Sequence, residues 1–584
     1  MPADSDCHPI SFEADPGKQR RLRIALVFPP AVLPTSAPLG IACLKAWLQS
    51  ASVGAGIEVR NFDLNLAYFE LALGWLGAQR LRMSLGKSDF QTTAQKVRAA
   101  IDFFRGRGSE SFFDLNRYNE HGAIYTRFGL VLNGLFDSFA RKMLLGAQVP
   151  APASRFFEDL LLPIKSFQPD LVGFSILFSQ QLFFALALSK LLKTSSEVRD
   201  PKNGGVPFGP WQMKIAFGGA TFSVMPDPGR LLTSVVVQVG NVKERIDPSN
   251  LIDYIVAGEG EKGLEALVAS RLFPGDSSPG LIYRKEGKIC KNPAQGVRDL
   301  NTLPLPDFSD TPPHRYHSPE PVLPYLSSRG CPWRRCAFCT HQRTYLDYRE
   351  ERAEVAVQRI LELQRQYGAT YFSFVDEMLH PERVGKISAQ LLRKNAFVRF
   401  CAYARPKGFS PGLFEKAHGA GLRLLLWGVE SASRRVLDLM GKGTDPAEVK
   451  TILEGAHAAG IWNLLFVMFG FPTETSSEWH ATLDFLDSCR TCAQALSRSR
   501  FLLLEGSKVF LDPQRYGISR IIERPQRDPV SIAYDYEVSE GLGLEEADAL
   551  FKRSLPRLSG IERSRWFAQL REHMLLYASR DKPL

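Results

Sequence analysis

The chain has 584 residues, 45% apolar and 23% charged, with 72 Lys and Arg against 62 Asp and Glu. That length exceeds one ordinary domain, and the composition is globular, with ample material for cores rather than a disordered or fibrous chain. No apolar run approaches the ~18 residues of a membrane span, and the net charge of +10 is spread without basic blocks or a nucleic-acid module, so neither membrane nor nucleic acid is an expected partner.

Residues 1–20 read as a polar leader without the charged-then-apolar pattern of a secretory signal, which makes a cytoplasmic protein the expectation. Leu22–Phe28 is a short apolar run ended by Pro29-Pro30, and it predicts a buried strand. Pro38-Leu39-Gly40 opens an apolar helix over 41–48, and a second strand is expected near 57–60. Residues 66–160 are helical and aromatic-rich and have the character of an insertion. Strand patterns resume at 170–175, 214–219 and 253–258, with a helix over about 180–193. Alternating strands and helices of this kind predict a doubly wound, Rossmann-like parallel sheet within 21–290.

Residues 291–322 are rich in proline (Pro304, Pro306, Pro312, Pro313, Pro319) and are expected to link two domains. A second series follows in 323–510, with strands near 325–327, 371–375, 399–403, 424–427 and 464–468. Helices are expected at 355–367, 384–392, 411–420 and 446–459. The rhythm predicts a partial (β/α)6 TIM-like barrel with its active site at the C-terminal strand ends. Residues 511–584 remain as a small mixed C-terminal domain.

Of nine cysteines, six are scattered and three, Cys331, Cys336 and Cys339, crowd into nine residues. Such crowding points to metal binding or catalysis rather than a disulfide framework. Three thiolates on one loop can hold three irons of a 4Fe-4S cubane and leave the fourth open. The spacing also admits a structural zinc loop with His341 nearby. Cys401, in an apolar strand, reads as packed, and Cys489 with Cys492 as a structural pair.

The segment Cys331-Pro332-Trp333-Arg334-Arg335-Cys336-Ala337-Phe338-Cys339, following a strand, resembles the cluster loop of the radical S-adenosylmethionine (SAM) superfamily. Phe374-Val375-Asp376-Glu377, Gly428-Val429-Glu430-Ser431, Met440-Gly441-Lys442-Gly443-Thr444 and Gly470-Phe471-Pro472-Thr473-Glu474 are similar to further segments of that family, in the same order. The resemblance implies a cluster on Cys331, Cys336 and Cys339 that cleaves SAM. It implies SAM contacts from Asp376, Glu377, Arg405, Glu430 and Ser431. One departure stands out: four residues separate the first two cysteines, where three are usual.

Residues 22–270 resemble the cobalamin-binding domain that precedes the radical core in the cobalamin-dependent subgroup. Val27-Phe28-Pro29-Pro30, Pro38-Leu39-Gly40, the segment 169–175, Gly218-Gly219-Ala220-Thr221 and Gly258-Glu259-Gly260-Glu261 carry that resemblance. Pro38, Leu39, Gly40, Ser175, Gly218, Gly219, Gly258 and Glu259, with Ser179 and Gln180 towards the nucleotide tail, become the expected cobalamin contacts. The Asp-x-His-x-x-Gly motif that elsewhere supplies an axial histidine is absent; the nearest approach surrounds His121. The two resemblances imply a C-methyltransferase that uses a 4Fe-4S cluster, SAM and cobalamin. Such an enzyme would combine methylcobalamin with a 5′-deoxyadenosyl radical to methylate an unactivated carbon of a small-molecule or peptide substrate. An external donor such as flavodoxin or ferredoxin would supply electrons. A non-methylating cyclisation, ring contraction or rearrangement is the alternative within the class, and a non-catalytic cofactor-binding regulator the alternative outside it.

Overall fold

The structure, a computed structural model, describes residues 21–77, 90–106, 109–194, 213–275, 277–345, 347–523 and 531–580. The leader 1–20 lies outside them. The first sheet has seven strands: β1 (Leu22–Phe28), β2 (Ile57–Asp63), β3 (Leu171–Ser175), β4 (Lys214–Gly218), β5 (Tyr254–Val256), β6 (Leu281–Lys285) and β7 (Lys288–Lys291). Their order is β2-β1-β3-β4-β5-β6-β7. The first five run parallel and the last two add as antiparallel strands. The central strands β1 and β3 are nearly continuous apolar runs because helices cover both faces, whereas the edge strand β2 alternates apolar and polar residues.

The order reverses between β1 and β3, and a doubly wound sheet opens a crevice for ligands at such a switch point. The chain between β2 and β3 supplies helices Leu64–Gly77, Phe90–Arg105, Leu115–Leu144 and Ala151–Phe167. Their aromatic residues interlock edge to face: Tyr68 meets Phe69, Phe136, Phe156 and Phe184 at 5.5–5.7 Å between centroids.

The second sheet has six parallel strands in sequential order: β8 (Val322–Tyr325), β9 (Tyr371–Phe374), β10 (Arg399–Ala404), β11 (Leu422–Glu430), β12 (Trp462–Phe469) and β13 (Ala495–Arg500). Helices follow most of these strands, as in a partial (β/α)6 barrel. Several begin on a proline at the first turn with a side-chain cap before it: Ser410 caps Pro411–Gly419 and Asp445 caps Pro446–Ala458. Proline fits there because its missing N–H would have no intrahelical partner.

After the barrel come three short strands, Leu503–Leu504, Ile518–Ile522 and Ala533–Val538, and helices Leu544–Ser559 and Arg571–Ala578. The last helix does not form part of a separate domain core. Met574, Leu575, Leu576 and Tyr577 are buried in one cluster with Cys401, Leu424, Leu426 and Leu464 of the barrel and Phe104, Tyr118 and Tyr125 of the insertion. The same cluster reaches Ala25, Val27 and Val172 of the first sheet. A continuous apolar core therefore joins both halves of the chain.

Candidate active site

The triad loop begins where β8 ends. Gly330 adopts φ +83°, and a Cβ there would stand 2.8 Å from the Asp347 carbonyl oxygen, so only glycine fits the turn that launches Cys331. The four residues between Cys331 and Cys336 are accommodated by a local bulge. Arg334 takes the left-handed region at φ +48° and its side chain is exposed. Trp333 turns back instead and donates its indole N–H to the Gly441 carbonyl at 2.9 Å. Its ring also lies under the Arg405 guanidinium, 3.7 Å from the centroid.

The Met440–Thr444 segment grips this loop. Ala337 N donates to Met440 O at 2.7 Å, and a Cβ on Gly441 or Gly443 would strike Arg335 O or the Trp333 ring.

Burial and two nearby cations act on the loop's thiols in opposite directions. Burial pushes the Cys339 thiol up to about 12 and raises Cys336 as well, while Lys442 and Arg405 oppose the shift at Cys336. Burial works against the charge on Lys442, yet Glu430, 2.9 Å away, and Cys336 outweigh it and hold the ammonium above its usual range. Among the described residues, no three His, Cys, Asp or Glu side chains already form a compact metal-holding group. The three thiols are nevertheless electrostatic neighbours on one loop. A donor set of three cysteines beside two cations fits a cluster whose net charge is negative. Beside them the Arg405 Nε and the Thr444 hydroxyl are buried without hydrogen-bond partners.

The expected SAM residues part company. Glu377 reaches a large cavity and accepts from His341 Nδ1 at 2.7 Å, an interaction that raises the imidazole pKa. Asp376 corrects the expectation: its carboxylate turns inward and accepts from Ser327 N, Ser327 Oγ and Ser328 Oγ at 2.5–3.2 Å. It braces the strand before the triad instead of facing the cavity, because two hydroxyls and an amide already satisfy it. Ser431 is also buried, bonded to Thr482 and to the Ser433 amide. Glu430 is taken up by Lys442. Arg405, besides stacking on Trp333, donates to the Lys442 and Gly443 carbonyls, each at 3.1 Å.

The cavity, of about 1780 Å³, opens between the two sheets. All ten expected cobalamin contacts line it: Pro38, Leu39, Gly40, Ser175, Ser179, Gln180, Gly218, Gly219, Gly258 and Glu259. Gly219, at φ +105°, is so close to the Ile176 backbone that a Cβ would lie 2.5 Å from its carbonyl oxygen, and a Cβ on Gly40 would press on Ser175 Oγ at 3.3 Å. Bare backbone at strand ends beside a switch point is the cradle a bulky ligand requires. Glu259 is the correction within this set. It lines the cavity, but its carboxylate is bound to Arg329 and Arg349 and accepts from Val297 N at 3.1 Å. Glu261 binds the other side of Arg329. This buried network ties the first domain to the residue preceding Gly330-Cys331.

His121 stacks on Phe103 at 4.2 Å within the insertion and does not line the cavity. Cys401 lies in the barrel core, donating to Ser373 Oγ at 3.5 Å, and Cys489 and Cys492 are both buried. Sequence reasoning missed the wall from the C-terminal segment, where Ser531, Ala533, Trp566, Gln569, Arg571 and Glu572 line the cavity. No sequence pattern pointed to this wall, because it is set by where the last helix packs in the folded chain.

A doubly wound domain whose strand ends open onto a partial barrel with a three-thiol loop defines the site. Residues 325–486 match the radical SAM superfamily model, so this stretch of the chain is a radical SAM domain. An uncharacterized methyltransferase of Pyrococcus horikoshii is 26% identical over 337 residues, 56% of this chain and 66% of that protein. The anaerobic magnesium-protoporphyrin IX monomethyl ester cyclase of Rubrivivax gelatinosus is 27% identical over 250 residues, 40% of this chain and 44% of the cyclase. The chain thus spans less than two thirds of these relatives' lengths.

In fold, the chain is similar to the cobalamin-dependent SAM radical enzyme OxsB, with a TM-score of 0.57 at 16% identity over 91% of this chain and 66% of OxsB. It is also similar to the radical SAM methyltransferase TsrM of Kitasatospora setae, with a TM-score of 0.51 at 17% identity over 84% of this chain and 74% of TsrM.

Proposed function

We propose that this chain is a cobalamin-dependent radical SAM enzyme that methylates an unactivated carbon of a small-molecule or peptide substrate. The observation that carries the reading is the shared cavity: the glycine-rich strand ends of the first sheet and the mouth of the barrel face one space beside the thiol loop. When bound, the cluster would supply an electron for SAM cleavage and cobalamin would carry the methyl group. Cys331, Cys336 and Cys339 would hold the cluster. Arg405 and Thr444, with buried polar atoms unpartnered, would meet polar groups of SAM, and Glu377 would bond from the cavity side. Gly40, Gly218 and Gly219 would let the backbone approach the corrin. Leu177, Phe178 and Val375, apolar and on the cavity wall, would exclude water from reactive species. An external one-electron donor of flavodoxin or ferredoxin type completes the scheme.

The cyclase relative favours a second reading, a rearrangement without methyl transfer. Anaerobic reconstitution with iron, sulfide and cobalamin, followed by mass analysis of the SAM products, separates the two. Methylation yields S-adenosylhomocysteine together with 5′-deoxyadenosine, and rearrangement yields 5′-deoxyadenosine without it. A regulator yields neither. The variant Cys336→Ala is expected to form no 5′-deoxyadenosine, and if it does the assignment of the triad is wrong.

A further inference from the structure

Three guanidinium groups line the cavity without a carboxylate partner: Arg127 from the insertion, and Arg565 and Arg571 from the C-terminal segment. Arg571 donates to Tyr403 Oη and to the Ala568 carbonyl and lies 5.2 Å from the Phe466 ring centroid. Arg565 stacks on Trp566 at 4.4 Å. The other wall charges are already matched: Glu259 and Glu261 with Arg329, and Glu377 with His341. Glu572 is the one further acid, and it accepts from Thr35 Oγ1 at 2.9 Å. Three cations against one acid leave the insertion and C-terminal walls electropositive.

Guanidinium groups offer paired N–H donors that match the oxygens of a carboxylate or a phosphate; Arg571 is half-buried, and Arg127 and Arg565 are exposed towards the opening. Apolar surface stands beside them. Leu130, one helical turn from Arg127 and 75% exposed, is on the cavity wall, where an organic ligand would cover it. The arginines sit on the insertion and the C-terminal segment and not on the strand ends of the first sheet, so they serve the part of the cavity left to a substrate.

We propose that the substrate is an organic anion with an apolar body, its carboxylate or phosphate held by Arg571 with Arg565 and Arg127. This rests on the reading of the cavity as the active site. The test is equilibrium dialysis of the full-length, cobalamin-loaded protein with 1-naphthyl phosphate and 1-naphthylacetate, each against its neutral counterpart, 1-naphthol and 1-naphthylacetamide. The anions are expected to bind at least ~10-fold more tightly, with the advantage shrinking as salt rises. Comparison of the two anions distinguishes phosphate from carboxylate recognition. In the variant combining Arg127→Gln, Arg565→Gln and Arg571→Gln, anion binding is expected to fall to the neutral level while binding of the neutral compounds and of cobalamin persists.

Equal binding of anion and neutral compound by the wild type, or binding of none of the four, overturns the proposal. So does an anion preference that survives the triple substitution, or a variant that loses cobalamin. The dialysis needs no SAM cleavage. A wild type that forms no 5′-deoxyadenosine yet shows the arginine-dependent preference would sink the enzymatic reading and leave the anion site standing.

Discussion

Arg329 sits between Glu259 and Glu261 with all three side chains buried. Each carboxylate would be costly there without a cation, since removing one partner of a buried pair leaves an uncompensated charge. Arg329→Met is therefore expected to lower unfolding stability by about 3–5 kcal/mol in denaturant titration, and adding Glu261→Gln should restore part of the loss. Glu474 shows the opposite case, a buried acid with too little compensation. Desolvation raises it to about 7 although Gly470 N donates to it, and its second oxygen has no partner. A folded-state pKa above the unfolded one means the native state holds the proton more tightly. The associated stability is full below the unfolded value near 4.5 and is lost as pH rises through about 7. The loss is on the order of 3 kcal/mol, and Glu474→Gln should flatten the stability profile across that window. Buried polar pairings of this kind, including that of Asp376 with Ser327 and Ser328, escaped the sequence reading. Asp376 looks like a ligand because it ends an apolar strand and Glu259 because its segment resembles a cobalamin-binding domain, and only the packed structure shows which neighbours have already claimed their oxygens.

At the scale of elements, the triad loop depends on a second segment more than 100 residues downstream. Trp333 is held by the Gly441 carbonyl and the Arg405 face, and Gly443 clears space for its ring. Trp333→Ala would remove the hydrogen bond and the stacking together, leaving the residues between Cys331 and Cys336 free to sample other conformations. Lower iron content per chain after reconstitution is the expected result, with far-ultraviolet circular dichroism unchanged. Gly443→Val should act in the same direction, because φ +66° and the Trp333 contact both oppose a branched side chain. The strand–helix rhythm that generates both sheets was legible, since periodicity and proline-initiated helices report locally on local structure. Met440–Thr444 could be matched as a motif but not explained, because its role is a tertiary contact. The insertion was visible as helical and aromatic, whereas its partner, the last helix, could be found only by folding the chain.

At the scale of the molecule, the three successive units read from the sequence share one buried apolar cluster. The buried cluster that contains Ala25 and Val172 of the first sheet also contains Leu424 and Leu464 of the barrel and Met574 of the last helix. Polar ties reinforce it: Lys45 of the first domain binds Asp307 and Asp310 beyond β7, and Tyr125 of the insertion bonds to His317 at 2.8 Å. His317 O in turn accepts from His573 Nε2 at 2.7 Å, so insertion, connecting segment and C-terminus close on one another. Burial depresses His573 to about 4, which keeps this junction neutral at ordinary pH, where a charged imidazole would be costly. Calorimetry is expected to show one unfolding transition for the full chain, since domains that share a core cannot melt separately. Ending the chain after Gly560 would uncover the apolar faces that Phe567, Leu570 and Met574 occupy. The truncated protein should lose that transition and bind hydrophobic dyes in its first domain as well as its barrel. A truncation that kept a sharp transition for the first sheet alone would show that the shared core is not what holds the two halves together.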